Sequence, residues 1–234
     1  LIAQTGASPA TVRRDLRTLE EQGLVRRSHG VVAIADSKSF EPFLGDPGFR
    51  EQVRSMAAEK RRIGAAAAAL VREGATIGLA AGTTVAQMIR QLRSYRDLTI
   101  VTNAVNVGMD LSRQKQLTVH LTGGYLSGNW FALVGPKALE FISTIFIDTF
   151  FFGANGIDHE KGVTDHHQEE AAANQALARQ AGRRILLADH SKLGHTARHL
   201  VCEIRCVNTI ITDSGATDEI IAPFERLGIE VMRV

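Results

Sequence analysis

The stretch SPATVRRDLRTLEEQG, residues 8–23, decides how the N-terminal part of this chain reads. Ser8 and Pro9 open a helix. A serine hydroxyl accepts one of the backbone N–H groups that a first turn leaves unpaired, and proline has no N–H to lose at the first helical position. Val12, Leu16 and Leu19 recur at i, i+4 and i+7, a single apolar stripe. Gly23 ends the helix as a C-cap. With the stripe turned inward, Ala10, Arg14, Arg17, Thr18 and Glu21 fall on the far face, with Thr11 and Arg13 on its flanks. A helix that reads a major groove needs this layout: a buried seam, with arginine, threonine and small residues facing base edges and phosphates.

Working outward, residues 1–7 read as the tail of a preceding helix turning at Gly6, and the chain, beginning at Leu1, is expected to lack that helix's start. Residues 24–33 suit a short β-wing turning at Gly30, in which Arg26, Arg27 and His29 would neutralise phosphates. Arginines on an amphipathic helix are by themselves a common surface feature. The ordered combination of helix tail, glycine turn, Ser-Pro cap, arginine-rich helix and basic wing points to a winged helix-turn-helix, with Ser8, Thr11, Arg13, Arg14, Arg17, Thr18, Arg26, Arg27 and His29 as the DNA-contacting candidates.

Residues 34–49, rich in Ser, Pro and Gly, read as a linker. Beyond them, apolar runs at 75–80, 99–102, 118–121, 147–152, 184–188, 209–212 and 230–234 alternate with helical patterns at 51–73, 85–93, 104–113, 169–181 and 217–227. That alternation predicts an α/β fold on a mostly parallel sheet. The expected organisation is an incomplete winged helix-turn-helix over 1–35, a linker over 36–50 and a larger α/β sensor domain over 51–234.

Composition excludes little and agrees with this division. Of 234 residues, 44% are hydrophobic and 22% charged, enough apolar material for a sizeable core. Residues 1–62 hold eleven Lys and Arg against eight Asp and Glu, whereas the remainder holds sixteen against seventeen, so the small excess of positive charge lies at the N-terminal end. Cys202 and Cys206 fit no disulfide framework or zinc spacing and are expected as buried thiols. With no long apolar run and no signal-peptide layout, the expectation is a cytoplasmic protein without membrane partners. Asp165-His166-His167 and the His195/His199 pair lack the convergence a metal needs, so neither metal nor cofactor is expected.

Residues 81–84, Ala-Gly-Thr-Thr, follow the first apolar run of the second domain and open a helical stretch. A glycine, two hydroxyls and unpaired N–H groups there make an anion seat, although such a loop also serves as a plain cap. Asn103, Gly123-Gly124, the segment 153–158 and Asp189 to Lys192 follow the later runs, and ligands of open α/β sheets gather at those strand ends.

Ser8-x-x-Thr11-Val12-Arg13-Arg14-Asp15-Leu16, followed by Leu19 through Arg27 and His29-Gly30, resembles the signature of DeoR-type bacterial transcriptional regulators. Val31 stands where a second glycine is usual, and Asp15 is expected to pair with an arginine rather than touch a base. Glu59-Lys60-Arg61-Arg62-Ile63, Gly82-Thr83-Thr84, Thr102-Asn103, Gly123-Gly124, 153–158, Gly162-x-Thr164 and Ser191-Lys192 resemble the family's sensor domain, similar in fold to sugar-phosphate isomerases. The resemblance implies a homo-oligomeric repressor of a double-stranded operator, released by a phosphorylated sugar. The effector-binding candidates are Gly82, Thr83, Thr84, Asn103, Gly123, Gly124, Gly153, Asp158, Glu169 and Lys192, with Glu170 an alternative to Glu169. Ala80 stands where the family often has Asp, which removes one hydroxyl-reading carboxylate. An isomerase-like enzyme is the competing reading, with Asp158, Asp189 and Glu169 as conceivable acids and bases. An architectural DNA-binding protein comes third. Neither gives both parts of the chain a role, and no catalytic residue is assigned.

Overall fold

Helix α1 (Pro9–Glu21) begins where the Ser-Pro pair puts it. Ser8 Oγ accepts the Thr11 N–H at 3.2 Å and the Ser8 carbonyl accepts the Val12 N–H at 3.0 Å, so two N–H groups of the first turn are satisfied at once. Val12 and Leu16 are half-buried, while Ala10, Arg13, Arg14, Arg17 and Thr18 are exposed, as the apolar stripe requires. An antiparallel hairpin of β1 (Val25–Ser28) and β2 (Val31–Ile34) follows, pairing Arg26 with Ala33 and Arg27 with Val32.

The computed structural model describes residues 8–21, 25–28, 31–34, 47–127 and 131–234, with the backbone alone at 19–21, 25–28, 31, 33 and 34. Gly23, His29 and Gly30 lie outside the described residues, as does the expected linker from 35 to 46. The chain divides into two compact units, Leu1–Pro42 and Phe43–Val234.

In the second unit the linker expected to reach residue 50 stops short: α2 (Pro47–Arg54) takes up its last residues, with proline at the first helical position and Phe49 buried edge-on against the Phe131 ring, centroids 5.3 Å apart. The single helix expected over 51–73 is two, α2 and α3 (Ala57–Ala68). Met56 divides them with a left-handed φ of 52°, a conformation no helix continues through. The C-terminal part of the expected helix is a turn that reverses at Gly74, φ 75°.

The sheet holds every strand the apolar runs predict. In sequence order these are β3 (Thr76–Leu79), β4 (Leu98–Thr102), β5 (Leu117–Leu121), β8 (Ile147–Phe152), β11 (Ala181–Leu187), β13 (Thr209–Thr212) and β14 (Glu230–Arg233). They lie in the spatial order β14-β13-β11-β8-β3-β4-β5, and each neighbouring pair is parallel. Phe150, Phe151 and Phe152 are consecutive and fully buried, because a central parallel strand is covered on both faces. Gly78 lets β3 approach β8, since a Cβ there would stand 2.8 Å from the Phe150 ring. The Thr76 N–H donates to Asp148 Oδ2 at 2.7 Å and fastens the start of the same seam.

Between the runs sit elements that the apolar pattern does not announce: the hairpin of β6 (Tyr125–Ser127) and β7 (Ala132–Val134), helix α6 (Pro136–Ile142), and an antiparallel trio of β9 (Gly156–Asp158), β10 (Gly162–Asp165) and β12 (His199–Cys202). The remaining helices are a 3-10 turn (Val85–Met88) running into α4 (Ile89–Leu92), α5 (Val105–Leu111), α7 (Gln168–Gln180) and α8 (Asp218–Arg226). Of the two cysteines expected inside, Cys202 is buried, which pushes its thiol up to about 12. Cys206 is exposed at the end of a 3-10 turn (Ile204–Cys206). Among the described residues no helix is long and apolar enough to cross a membrane.

Candidate functional site

The strand order reverses between β3 and β8: β4 and β5 lie to one side of β3, and β8, β11, β13 and β14 to the other. Loops leaving the carboxyl ends of the two strands at such a point part in opposite directions and leave a crevice. A cavity of about 80 Å³ opens there. Residues 81–85 after β3, 153–155 after β8, and 187–189 with Lys192 at and after the end of β11 line it, closed by Asp165 at the end of β10, Glu170 and Asn174 on α7, and Gln52 and Lys60 from α2 and α3.

Each wall is held in place. Buried Asn103, 1% exposed, accepts the Ala81 N–H through Oδ1 at 3.0 Å and so positions the 81–84 loop from behind. Thr102 Oγ1 donates to the Leu79 carbonyl at 2.7 Å, tying β4 to the strand that carries the loop. Gly82 has a φ of 144°, in the region only glycine enters without strain, while Thr83 and Thr84 are buried. On the opposite wall, Asp189 Oδ1 accepts the Ser191 N–H at 3.1 Å, and Asp213 receives the His190 N–H at 2.8 Å and pairs with the ring Nδ1 at 2.8 Å. That turn holds Lys192 at the cavity wall.

Lys60 is 3% exposed and donates to the Gln52 carbonyl at 2.7 Å. Burial holds its ammonium below the usual lysine range; the negative charge of Asp189 opposes that shift and Lys192 adds to it. Glu170, 9% exposed, is pushed up to about 7, first by burial and then by the charge of Asp165, against a 3.1 Å bond donated by Ser127 Oγ. The Oδ1 of Asn174, one helical turn further along α7, is buried and has no hydrogen-bond partner among the described residues.

Of the effector candidates, the cavity lining brings together Gly82, Thr83, Thr84, Gly153 and Lys192. Asn103 supports the loop from outside. The others fall elsewhere. Asp158 accepts the N–H groups of Glu160 and Lys161 at 2.9 and 2.8 Å, committing it to the turn between β9 and β10. Glu169 is exposed and bonds Tyr125 Oη, whereas its neighbour Glu170 is the glutamate turned to the cavity. Gly123 and Gly124 are exposed; a Cβ on Gly124, φ 101°, would stand 2.2 Å from the Val134 carbonyl, so that glycine serves a backbone crossing. Lys60, Asp165, Asn155 and Asn174 line the cavity and were not candidates. Of these, Lys60 and Asn155 lie within quoted motifs, Glu59 to Ile63 and 153–158, and carried the clearest signal. The isomerase reading's three acids do not converge, since only Asp189 reaches the cavity.

In the first unit, Arg13, Arg14 and Arg17 are exposed along α1. Arg14 Nε lies 4.0 Å from Asp15 Oδ1, a loose surface pair. Ser8 is taken up by the helix cap, with Oγ 2.9 Å from Thr11 Oγ1, and Thr18 Oγ1 donates to the Arg14 carbonyl at 3.2 Å.

Residues 1–38 match the model of the DeoR-like helix-turn-helix domain and residues 55–214 that of the DeoR C-terminal sensor domain. The chain belongs to the DeoR family. It is 30% identical to a putative aga operon transcriptional repressor of Escherichia coli O157:H7 over 234 residues, all of this chain and 86% of that protein. It is likewise 30% identical to the glycerol-3-phosphate regulon repressor of Escherichia coli K12, over 92% of this chain and 82% of that one. Among solved structures, ribose 5-phosphate isomerase A from Methanocaldococcus jannaschii aligns with a TM-score of 0.44 at 17% identity, over 59% of this chain and 55% of the other. This DeoR member is a DNA-binding transcriptional regulator with a sensor domain, not an enzyme.

Proposed function

We propose that a phosphorylated sugar or related metabolite, bound in the crevice between β3 and β8, controls how tightly the N-terminal unit holds its operator. The observation that carries this reading is the crevice itself: a glycine–threonine–threonine loop at the sheet's reversal point, faced by two lysines and by side chains suited to hydroxyl groups. Phosphate sits against Gly82, Thr83 and Thr84, where main-chain N–H groups and hydroxyls are the donors, and Lys192 and Lys60 supply charge. A relative named as a glycerol-3-phosphate regulon repressor supports a phosphorylated effector.

On the output side, Arg13, Arg14, Arg17 and Thr18 on α1 meet the major groove, with Ser8 and Thr11 at its start, while Arg26, Arg27 and His29 meet the backbone from the wing. One recognition helix reads few base pairs, so two or more cytoplasmic copies bind paired half-sites. The effector weakens repression by binding one arrangement of sensor domains better than another, a coupling typically of about 1–3 kcal/mol. Thermal melting of the full chain against a panel of sugar phosphates tests the input: a ligand at a hundredfold excess over its Kd adds about 2.7 kcal/mol to the native state. The double variant Thr83→Ala/Lys192→Ala is expected to keep operator binding and lose the response to any hit. A normal response from it moves the phosphate site elsewhere.

A further inference from the structure

The two cysteines of the chain, Cys202 and Cys206, do not line the crevice, and they stand in opposite surroundings. Cys202 ends β12 and is 8% exposed, in the core that also holds Val163, Ile204 and Val207. Cys206 is exposed. Four residues of extended chain would hold two Cα atoms roughly 13 Å apart, well beyond the reach of a disulfide. The chain turns instead. The Cys206 N–H donates to the Glu203 carbonyl and the Val207 N–H to the Ile204 carbonyl, each at 3.0 Å, the tight bonding of a 3-10 turn. Cys206 is thereby folded back over the end of β12, and its thiol and that of Cys202 share a hydrogen bond. Arg184 on β11 fastens the turn: Nε donates to the Cys206 carbonyl at 2.6 Å and Nη1 to the Ala181 carbonyl at 2.7 Å.

Each surrounding suits one half of a thiol oxidation. The group that attacks an oxidant is an accessible thiolate. Cys206 meets the solvent, whereas burial holds the Cys202 thiol protonated. Cys202 is therefore unsuited to attack first and well placed to attack second, because it already hydrogen-bonds its partner. A reachable cysteine beside a resolving one stops oxidation at a reversible disulfide, before the irreversible acids. The strand that carries Cys202 also adjoins the crevice walls. It pairs with β10, Asp165 opposite His199, and Gln175 Nε2 on α7 donates to the Val201 carbonyl at 3.2 Å.

We propose that Cys206 and Cys202 form a peroxide-reactive thiol pair, a modification site separate from the crevice, with Cys206 attacking and Cys202 resolving. The Cys206 thiolate attacks hydrogen peroxide: an S–O bond forms, the O–O bond breaks, and the departing hydroxide takes up the proton that Cys206 gave up and leaves as water. Cys202 sulfur then attacks the sulfenic acid on Cys206. The S–S bond forms, the S–O bond breaks, and the Cys202 proton leaves with the oxygen as a second water. Two thiols are oxidised, one peroxide is reduced, and a dithiol reductant reverses the change.

The full chain, reduced with dithiothreitol and freed of it, is treated with hydrogen peroxide beside a glutathione control that is itself oxidised. Remaining thiols are then alkylated in denaturant, and the intact mass is read. The wild type is expected to lose two hydrogens, take no alkyl group and stay a single chain on a non-reducing gel. Dithiothreitol is expected to restore both alkylation sites. Cys202→Ser and Cys202→Ala, checked for folding by circular dichroism, are expected to lose the bridge and to trap a sulfenic acid on Cys206 that dimedone labels. Cys206→Ser, altered at an exposed position, is expected to keep Cys202 reduced. Wild-type protein that still takes two alkyl groups overturns the proposal, and so does a bridge that forms only between chains. Oxidation of Cys202 in Cys206→Ser as fast as in the wild type overturns the division of roles.

Discussion

Replacing Glu170 by glutamine removes one proton-binding site from the wall of the crevice and should change how the protein's stability depends on pH. Burial and the nearby charge of Asp165 raise the carboxyl from 4.5 to about 7. The native state therefore binds this proton more tightly than the unfolded chain does. The associated stabilisation is fully present below the unfolded value of 4.5 and is lost as pH rises through 7, where an ionised carboxylate must be carried inside. At about 1.36 kcal/mol per unit the whole effect is on the order of 3 kcal/mol, most of it falling between about pH 5 and pH 8. The amide introduced by Glu170→Gln does not titrate, and its oxygen can still accept from Ser127 Oγ, which donates to Glu170 at 3.1 Å. Urea unfolding of both proteins across this range, extrapolated to water, is the assay. The variant should gain on the wild type by roughly 2–3 kcal/mol from pH 5 to pH 8, with the contributions of distant groups cancelling in the difference. Two curves that run parallel would refute the argument, because they would mean that Glu170 ionises as readily in the folded protein as in water.

Two further substitutions probe other parts of the molecule. Arg14→Ala should weaken specific operator binding by about 1–3 kcal/mol in a mobility-shift titration, and an unchanged affinity removes α1 as the reading helix. Gly124→Ala forces a Cβ to within 2.2 Å of the Val134 carbonyl at a positive φ, so a melting-temperature loss is expected whatever ligand is present. A stable Gly124→Ala protein that has lost only its effector response would instead place that loop at the ligand.

The sheet was legible because its central strands are buried on both faces, and burial on both faces writes itself as a short continuous apolar run such as Phe150–Phe152 in β8 or Ile185–Leu187 in β11. The short strands β6, β7, β9, β10 and β12 hold three or four residues each, too few for an alternating pattern to show, and exist only through their pairing partners. The break at Met56 had no signal at all, since a non-glycine residue in a left-handed conformation is imposed by what surrounds it. The loop 82–84 could be found because backbone geometry and hydroxyls leave a local motif. Asp165 and Asn174 could not, because nothing near either residue in sequence says which element will close over the crevice. Asp158 looked suitable because Gly153 and Gly156 precede it in a ligand-like loop, but only Gly153 reaches the cavity, while Gly156 already opens β9 and Asp158 closes the turn into β10.

The seam between β3 and β8 joins segments about seventy residues apart in the chain, and Lys192 comes later still. Such distant pairings form late, after the loops between them have closed. During synthesis the N-terminal unit emerges first, and a nascent chain that stops before residue 147 carries the helix-turn-helix region with no crevice at all. Any fragment of that kind lacks the proposed effector site, so whatever operator binding it retains is expected to be deaf to metabolite.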